Sequence, residues 1–379
     1  MRSYKVTFGE RFKRMDGVLL FCTTILSLAS LVVIYGAMDN FGKSKFVMQA
    51  AMTVLGFVIV FIIANFDYRY IIDKLYIVAF LFSVFILAIT LLFGISGANM
   101  ETTNRSWLTI IDVGGFTISI QPSEFVKLTF ICTFARHLSL VKHKINKPST
   151  LLGLALHSGI IIGLIFLSGD LGVSLVFAGI ILMMLFCSGV SAWYFLAVGA
   201  VIAIAFPFIW EHLALYQQQR IIFGFNPEGD PFGYGQQALI SRDAIMNGGF
   251  WGRGLFGGSV YEYLPASHTD FIFSTLCEKF GFVGGALYII IICIMVIRVM
   301  VIATNCKDMM GKLICFGVSA VLILQTLEGV GMCLAIIPVI GITLPFMSAG
   351  GSSTLALFMI VGMVHSVNSQ EKKFYFSRE

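Results

Sequence analysis

The sequence predicts an all-α, polytopic integral membrane protein. It predicts ten transmembrane helices, both termini on the cytoplasmic side, and two long extracytoplasmic loops. Three observations lead there. Of 379 residues, 58% are apolar, aromatic or cysteine, only 12% are charged, and the mean hydropathy is +0.91. A soluble domain carries about twice that charged share, so a soluble core of this size would go uncovered. Apolar runs of membrane length recur along the chain, and the basic residues alternate between its loops. Disorder, coiled coil and collagen are excluded by the same composition.

The runs come in order. The first, 17–38, is too long for a signal-peptide core and has no convincing cleavage site after it, so it reads as a retained helix. Further runs follow at 46–66, 75–94, 118–135, 150–168, 171–188, 192–210, 271–300, 313–337 and 341–366. About 20 residues each suits a hydrocarbon core of about 30 Å. Residues 1–379 then form a single membrane domain, with extracytoplasmic loops over about 95–117 and 211–270. A loop of the second length is usually functional. Its prolines and glycines predict irregular turns, with a short amphipathic helix around 236–247.

Basic residues set the orientation. Segments 1–16, 67–74, 136–149, 301–312 and 367–379, with Arg298, hold 17 of the 25 Lys and Arg. The opposite loops hold six: Lys43, Lys45, Arg105, Arg220, Arg242 and Arg253. The net charge of +5 therefore reflects topology and anionic lipid, and nucleic acid is not an expected partner. The eight cysteines lie mainly in apolar runs, without a CxxC pair, and read as buried hydrophobes.

Polar groups inside membrane helices are expensive and mark candidate sites. Gln121-Pro122-Ser123-Glu124 opens one helix, and Lys127 shares a face with Glu124. The pair is a structural ion pair, a wall of a substrate cavity, or both. Asp170, in Gly169-Asp170-Leu171-Gly172, reads first as a tight outer turn. Glu328 lies mid-helix and needs a basic partner, a proton or a water-filled cavity. His268-Thr269-Asp270 sits where the second long loop meets a helix. Asp270 either caps that helix or, if Thr269 does so, is free to accept a proton. Gly248, Gly249, Gly252, Gly254, Gly257 and Gly258 let backbone approach a ligand or form a flexible connector. No Walker loop, nucleophile elbow or metal-ligand spacing occurs. The Pro and Gly residues of Leu344-Pro345-Phe346 through Gly350-Gly351-Ser352-Ser353 predict a kinked or broken helix.

Together these segments resemble the SEDS family (shape, elongation, division and sporulation), which includes RodA, FtsW and SpoVE. The resemblance covers nearly the whole chain. It rests on Trp107 ahead of Gln121-Pro122-Ser123-Glu124 and Lys127, on Gly169-Asp170-Leu171-Gly172, and on Arg220 with Asn226-Pro227. Gly248-Gly249 with Gly252 and Gly254, Leu264-Pro265 with His268-Thr269-Asp270-Phe271-Ile272-Phe273, and Leu344-Pro345-Phe346 through Ser353 complete it. The chain departs from the family pattern at Ser106, Ala349 and Gly329. It also has Glu278-Lys279 where the family usually has two acidic residues.

The resemblance implies a peptidoglycan glycosyltransferase that polymerises lipid II, the undecaprenyl-pyrophosphate-linked disaccharide peptide, on the outer face of the bacterial cytoplasmic membrane. It implies a class B penicillin-binding protein as partner, with Asp270 as catalytic base and Trp107 in a second functional loop. Substrate-binding candidates are Trp107, Glu124, Lys127, Arg220, His268, Thr269 and Ser352. The only cofactor left open is a divalent cation at the pyrophosphate. Two rival readings are a flippase for lipid-linked substrate and a scaffold for the penicillin-binding protein. The short N-terminal segment suits elongation and sporulation members, whereas Gly257-Gly258-Ser259 through Tyr263-Leu264-Pro265 leans toward division and sporulation.

Overall fold

A computed structural model of the chain describes residues 14–95, 105–113, 116–213 and 215–376. The first half contains α1 (Gly17–Gly36), the short α2 (Met38–Phe41), α3 (Lys43–Asn65), α4 (Tyr68–Phe93), strands β1 (Leu108–Val113) and β2 (Phe116–Ile120), α5 (Pro122–Val141), α6 (Pro148–Leu167) and α7 (Leu171–Cys187). The second half contains α8 (Ala192–His212), α9 (Leu215–Phe225), α10 (Gln236–Gly248), α11 (Ile272–Asn305), α12 (Met309–Cys333) and α13 (Gly351–Phe376).

Among the described residues, seven helices are long and apolar enough to cross a membrane: α1, α3, α4, α6, α11, α12 and α13 as far as Glu371. The apolar stretches of α7 and α8, Leu171–Cys187 and Ala192–Phe208, are shorter. Helix α5 is 20 residues long but carries Glu124, Lys127 and Arg136.

Four helices begin on an aspartate that accepts a first-turn amide. Asp16 takes the Leu19 N–H at 3.0 Å, Asp67 that of Arg69 at 3.1 Å, Asp170 that of Val173 at 3.1 Å, and Asp308 that of Gly311 at 3.0 Å. Each satisfies a donor that the helix itself leaves unpaired.

Helix α12 occupies the centre and packs against α5, α7, α11 and α13. Its Leu313, Ile314, Cys315, Val318, Val321 and Leu322 are wholly buried. Small residues allow close approach, as expected where lipid supplies no hydrophobic drive between helices. Gly56 on α3 lies against the Phe358 ring, and Gly179 on α7 against Leu324. Helix α8 is apolar all round, and none of its described side chains is fully buried, so it lies on the rim.

Several sequence expectations need correction. Residues 118–120 are not the start of a helix: β2 pairs antiparallel with β1, Leu108 opposite Ile120, and α5 begins only at Pro122. Phe116-Thr-Ile-Ser-Ile120 alternates apolar and polar residues at strand period, and Pro122 suits a first helical turn. The expected helix over 341–366 starts ten residues later, at Gly351. The backbone of 335–350 is irregular, with Phe346 at φ 58° and Gly341 at φ 73°. The expected helix over 271–300 runs from Ile272 to Asn305 but breaks at Gly281, whose φ of 68° favours glycine. The second long loop holds α10 as expected, and also α9, which was not expected. The first long loop lies in part outside the described residues. All eight cysteines are free, but Cys293, on the outer face of α11, is exposed.

Candidate functional site

Asp270 lies in the turn leading into α11 and does not cap it. The residue at the cap position is Phe271, and no side chain bonds the first-turn amides there. The turn is closed by the backbone of Ala266, which adopts φ 55°. The Ala266 carbonyl accepts from the Thr269 N–H at 3.0 Å, the Thr269 hydroxyl at 3.2 Å and the Phe271 N–H at 3.2 Å. Thr269 therefore does not cap the helix either. The Asp270 carboxylate is partly buried and faces Gly341, where an added Cβ would sit 3.4 Å from Oδ2. Burial lifts its pKa from 3.8 to about 6. A hydrogen bond from Thr269 opposes the lift, the charge of Asp170 adds to it, and the charge of Arg220 opposes it.

The irregular segment before α13 clamps this turn. The Ser348 hydroxyl donates to the Thr269 carbonyl at 2.6 Å and accepts from the Leu344 N–H at 2.7 Å. The Ala349 N–H donates to the His268 carbonyl at 2.8 Å. Arg220, carried by α9, donates from Nε to the Val339 carbonyl at 3.0 Å. His268 is partly buried, its ring sits 5.3 Å from that of Phe41, and burial, with Lys45 adding, lowers its pKa to about 4. It is neutral at pH 7.

A second polar group lies around the start of α5. The Lys127 ammonium meets Glu124 Oε1 at 2.8 Å, with both side chains almost wholly buried. Gln121 joins two further elements. Its N–H donates to the Ser352 hydroxyl on α13 at 3.3 Å, and its side-chain amide donates to Asp170 at 2.9 Å. Asp170 is thus both a helix cap and a member of this cluster, more than the tight turn its sequence suggested. Burial raises its pKa to about 6. Glu328 lies within electrostatic range of Lys127 and Asp170. Among the described residues, the buried Glu124 Oε2 and Glu328 Oε2 have no hydrogen-bond partner.

The two groups meet through residues 348–352, which bond the turn at one end and Gln121 at the other, and through the charge interaction of Asp170 with Asp270. Trp107 stands apart. Its backbone pairs with Ile95, and the adjacent Ser106 lines a crevice with Thr90, Ser123 and Ser168. It therefore flanks the α5 cluster and makes no described contact with Asp270. Of the other basic candidates, Arg242 pairs with Glu228 at 2.7 Å and Arg253 binds the Asn247 side chain at 2.8 Å, whereas Arg220 lies within charge range of Asp270 and Lys127 within that of Asp170. Among the described residues, no group of three or more His, Cys, Asp or Glu converges as a metal centre.

Sequence reasoning missed Gln49. Its Nε2 donates to Ser30 Oγ at 3.3 Å and to the Ser348 carbonyl at 3.4 Å, and its Oε1 accepts from the Gly350 N–H at 3.2 Å. A single Gln in an apolar helix was the available signal. The glycine loop, by its sequence a ligand cradle or a flexible connector, is organised by buried groups of α11. Glu278 accepts from Asn247 Nδ2 at 2.7 Å and from the backbone of Ser259, Val260 and Tyr261 at 3.0, 3.0 and 2.8 Å.

The fold and site define a multi-pass membrane protein that holds a loop carboxylate of raised pKa beside a polar cluster buried among its helices. The family model for FtsW, RodA and SpoVE, described as "Cell cycle protein", matches residues 15–373, and the chain belongs to that family. Stage V sporulation protein E of Bacillus subtilis (strain 168) is 33% identical over 368 residues, which cover 93% of this chain and 96% of that protein. Peptidoglycan glycosyltransferase MrdB of Escherichia coli (strain K12) is 30% identical over 382 residues, 97% of each. Among solved structures, a chain from a peptidoglycan synthase complex that coordinates polymerization and crosslinking superposes with a TM-score of 0.81 at 25% identity, over 94% of this chain and 98% of that one. The rod shape determining protein RodA of Thermus thermophilus superposes at 0.68 over 93% of this chain and 96% of that one, and at 23% identity shares the fold.

Proposed function

We propose that the chain is a peptidoglycan glycosyltransferase that polymerises lipid II on the outer face of the bacterial cytoplasmic membrane. Its membrane domain spans residues 1–379, in ten helices with both termini inside, and it works beside a class B penicillin-binding protein. The observation that carries the reading is Asp270, a loop carboxylate that caps nothing while four other aspartates cap their helices. An enzyme acting on the outer face has no ATP to draw on, so the donor arrives already activated as a lipid pyrophosphate.

The acceptor's GlcNAc 4-hydroxyl attacks C1 of the donor MurNAc. The new C1–O4 bond forms, the bond from C1 to pyrophosphate breaks, and the hydroxyl proton passes to Asp270. With a pKa of about 6, Asp270 is ionised at pH 7 and is a stronger base than an ordinary carboxylate. Arg220 and Lys127 supply positive charge for the departing pyrophosphate. His268 and Thr269 shape the turn that aims the base. Glu124 holds Lys127, Ser352 joins the two groups, and Trp107 flanks the α5 cluster.

Purified protein incubated with lipid II, with and without its penicillin-binding protein, tests the proposal. Glycan strands that require Asp270 are expected. Lipid II transport without polymer, from protein folded as in cells, would favour the flippase reading.

A further inference from the structure

The His268-Thr269-Asp270 turn is braced from the α13 side by Ser348 and Ala349. Its opposite side rests on a column of rings that ends at a buried ammonium. The His268 ring is 5.3 Å from that of Phe41 at 47°. Phe41 meets Tyr261 edge-on at 5.9 Å and 73°. Lys279 Nζ lies 4.5 Å from the centre of the Tyr261 ring. Aromatic pairs prefer such tilted and edge-on geometries, and a cation over a ring binds best when desolvated.

Lys279 is wholly buried. Its ammonium donates to the carbonyls of Gly36 at 3.0 Å and Leu255 at 2.9 Å, and to the Tyr261 hydroxyl at 3.4 Å. Gly36 ends α1, where the helix dipole favours a cation. One charge therefore fixes three segments at a single point: the end of α1, the glycine loop and the turn bearing Tyr261. Phe41, five residues beyond Gly36, carries that constraint to His268.

We infer that Lys279 is a positioning residue for Asp270, acting through Tyr261 and Phe41 on His268, an inference that rests on the polymerase reading above. It touches neither substrate nor reacting atoms. Its effect is on the direction of the base, and displacing a catalytic group by about 1 Å can slow a reaction about 10²-fold.

The test uses the full-length protein with its penicillin-binding partner and lipid II as substrate. Phe41→Leu keeps an apolar side chain but removes the ring contacts. It should lower kcat about 10-fold, with KM within about 2-fold and an unchanged melting temperature. Phe41→Tyr should restore most of the rate. Lys279→Met should show the same split, and the double variant Lys279→Met/Phe41→Leu should be no slower than the slower single variant, because both act along one path. If Lys279→Met does not fold, Tyr261→Leu combined with Phe41→Leu makes the same comparison. Wild-type kcat in Phe41→Leu, a loss confined to KM, or multiplicative losses in the double variant would each overturn the inference. Asp270→Asn is assayed in parallel. If wild-type protein makes no polymer, the function reading fails, and if Asp270→Asn polymerises normally, Asp270 is not the base and has nothing to be positioned for. If it is inactive while Phe41→Leu runs at full rate, only the positioning inference fails.

Discussion

Replacing Asp270 with Asn removes one charge at almost constant volume, and the structure sets opposite expectations for stability and activity. Burial raises the carboxyl from 3.8 to about 6 in the folded protein. A shift of about two units corresponds to about 3 kcal/mol if fully realised, and partial exposure of the side chain reduces this to about 1–2 kcal/mol. Because the folded pKa is the raised one, the neutral carboxyl stabilises the fold. That contribution is fully present below pH 3.8 and is lost as the pH rises through 6. Asn has no charge to desolvate and suffers no such loss. At pH 7.5 the variant should therefore unfold about 1–2 kcal/mol later than the wild type, with the gap closing between pH 6 and pH 4. Polymerisation should fall by about 10²-fold or more. The wild-type rate should itself drop below about pH 6 as Asp270 takes up its proton. Unfolding in detergent across pH, glycan length from lipid II, and pull-down of the penicillin-binding protein measure these together. A stable Asn variant that still makes long strands would remove Asp270 from proton transfer. A stability gap that is the same at pH 4 and pH 7.5 would refute the buried-carboxylate account.

Lys127→Met should destabilise the protein by about 3–5 kcal/mol, since it strands the buried Glu124 carboxylate, and adding Glu124→Gln should recover much of that loss. Unfolding of the two variants in detergent checks this, and a Lys127→Met protein as stable as wild type would contradict it. A cysteine at Ser259 should react with an impermeant reagent on intact spheroplasts, and one at Asn146 should not. The reverse pattern would invert the topology and end the enzyme argument. Trp107→Ala should lower polymerisation with little loss of membrane insertion, because Trp107 flanks the α5 cluster and lies away from the bundle core. Normal glycan yield at matched protein level would make it an interfacial anchor instead.

The sequence by itself determined the membrane class, the approximate spans and the addresses of the costly polar groups. Hydropathy is a local, additive property, and a polar residue in an apolar run is visible without its neighbours. The same locality explains the misses. Residues 116–120 are apolar enough to extend a helix, and only pairing with 108–113 makes them a strand. Residues 341–350 are equally apolar, yet Pro345 and the positive φ of Gly341 and Phe346 delay α13 to Gly351. Tertiary structure decided what each polar address does. Asp170 and Asp270 both precede a helix, but the turn closed by Ala266 points Asp270 toward Gly341, whereas Asp170 caps α7 and also binds Gln121. Glu278 and Lys279 are adjacent opposite charges, and their partners lie elsewhere in the chain. In the fold the carboxylate is satisfied by backbone N–H groups of the glycine loop, and the ammonium by carbonyls that include Gly36, 243 residues away. A buried charge must find partners wherever the packed chain brings them, and no local pattern records where that will be.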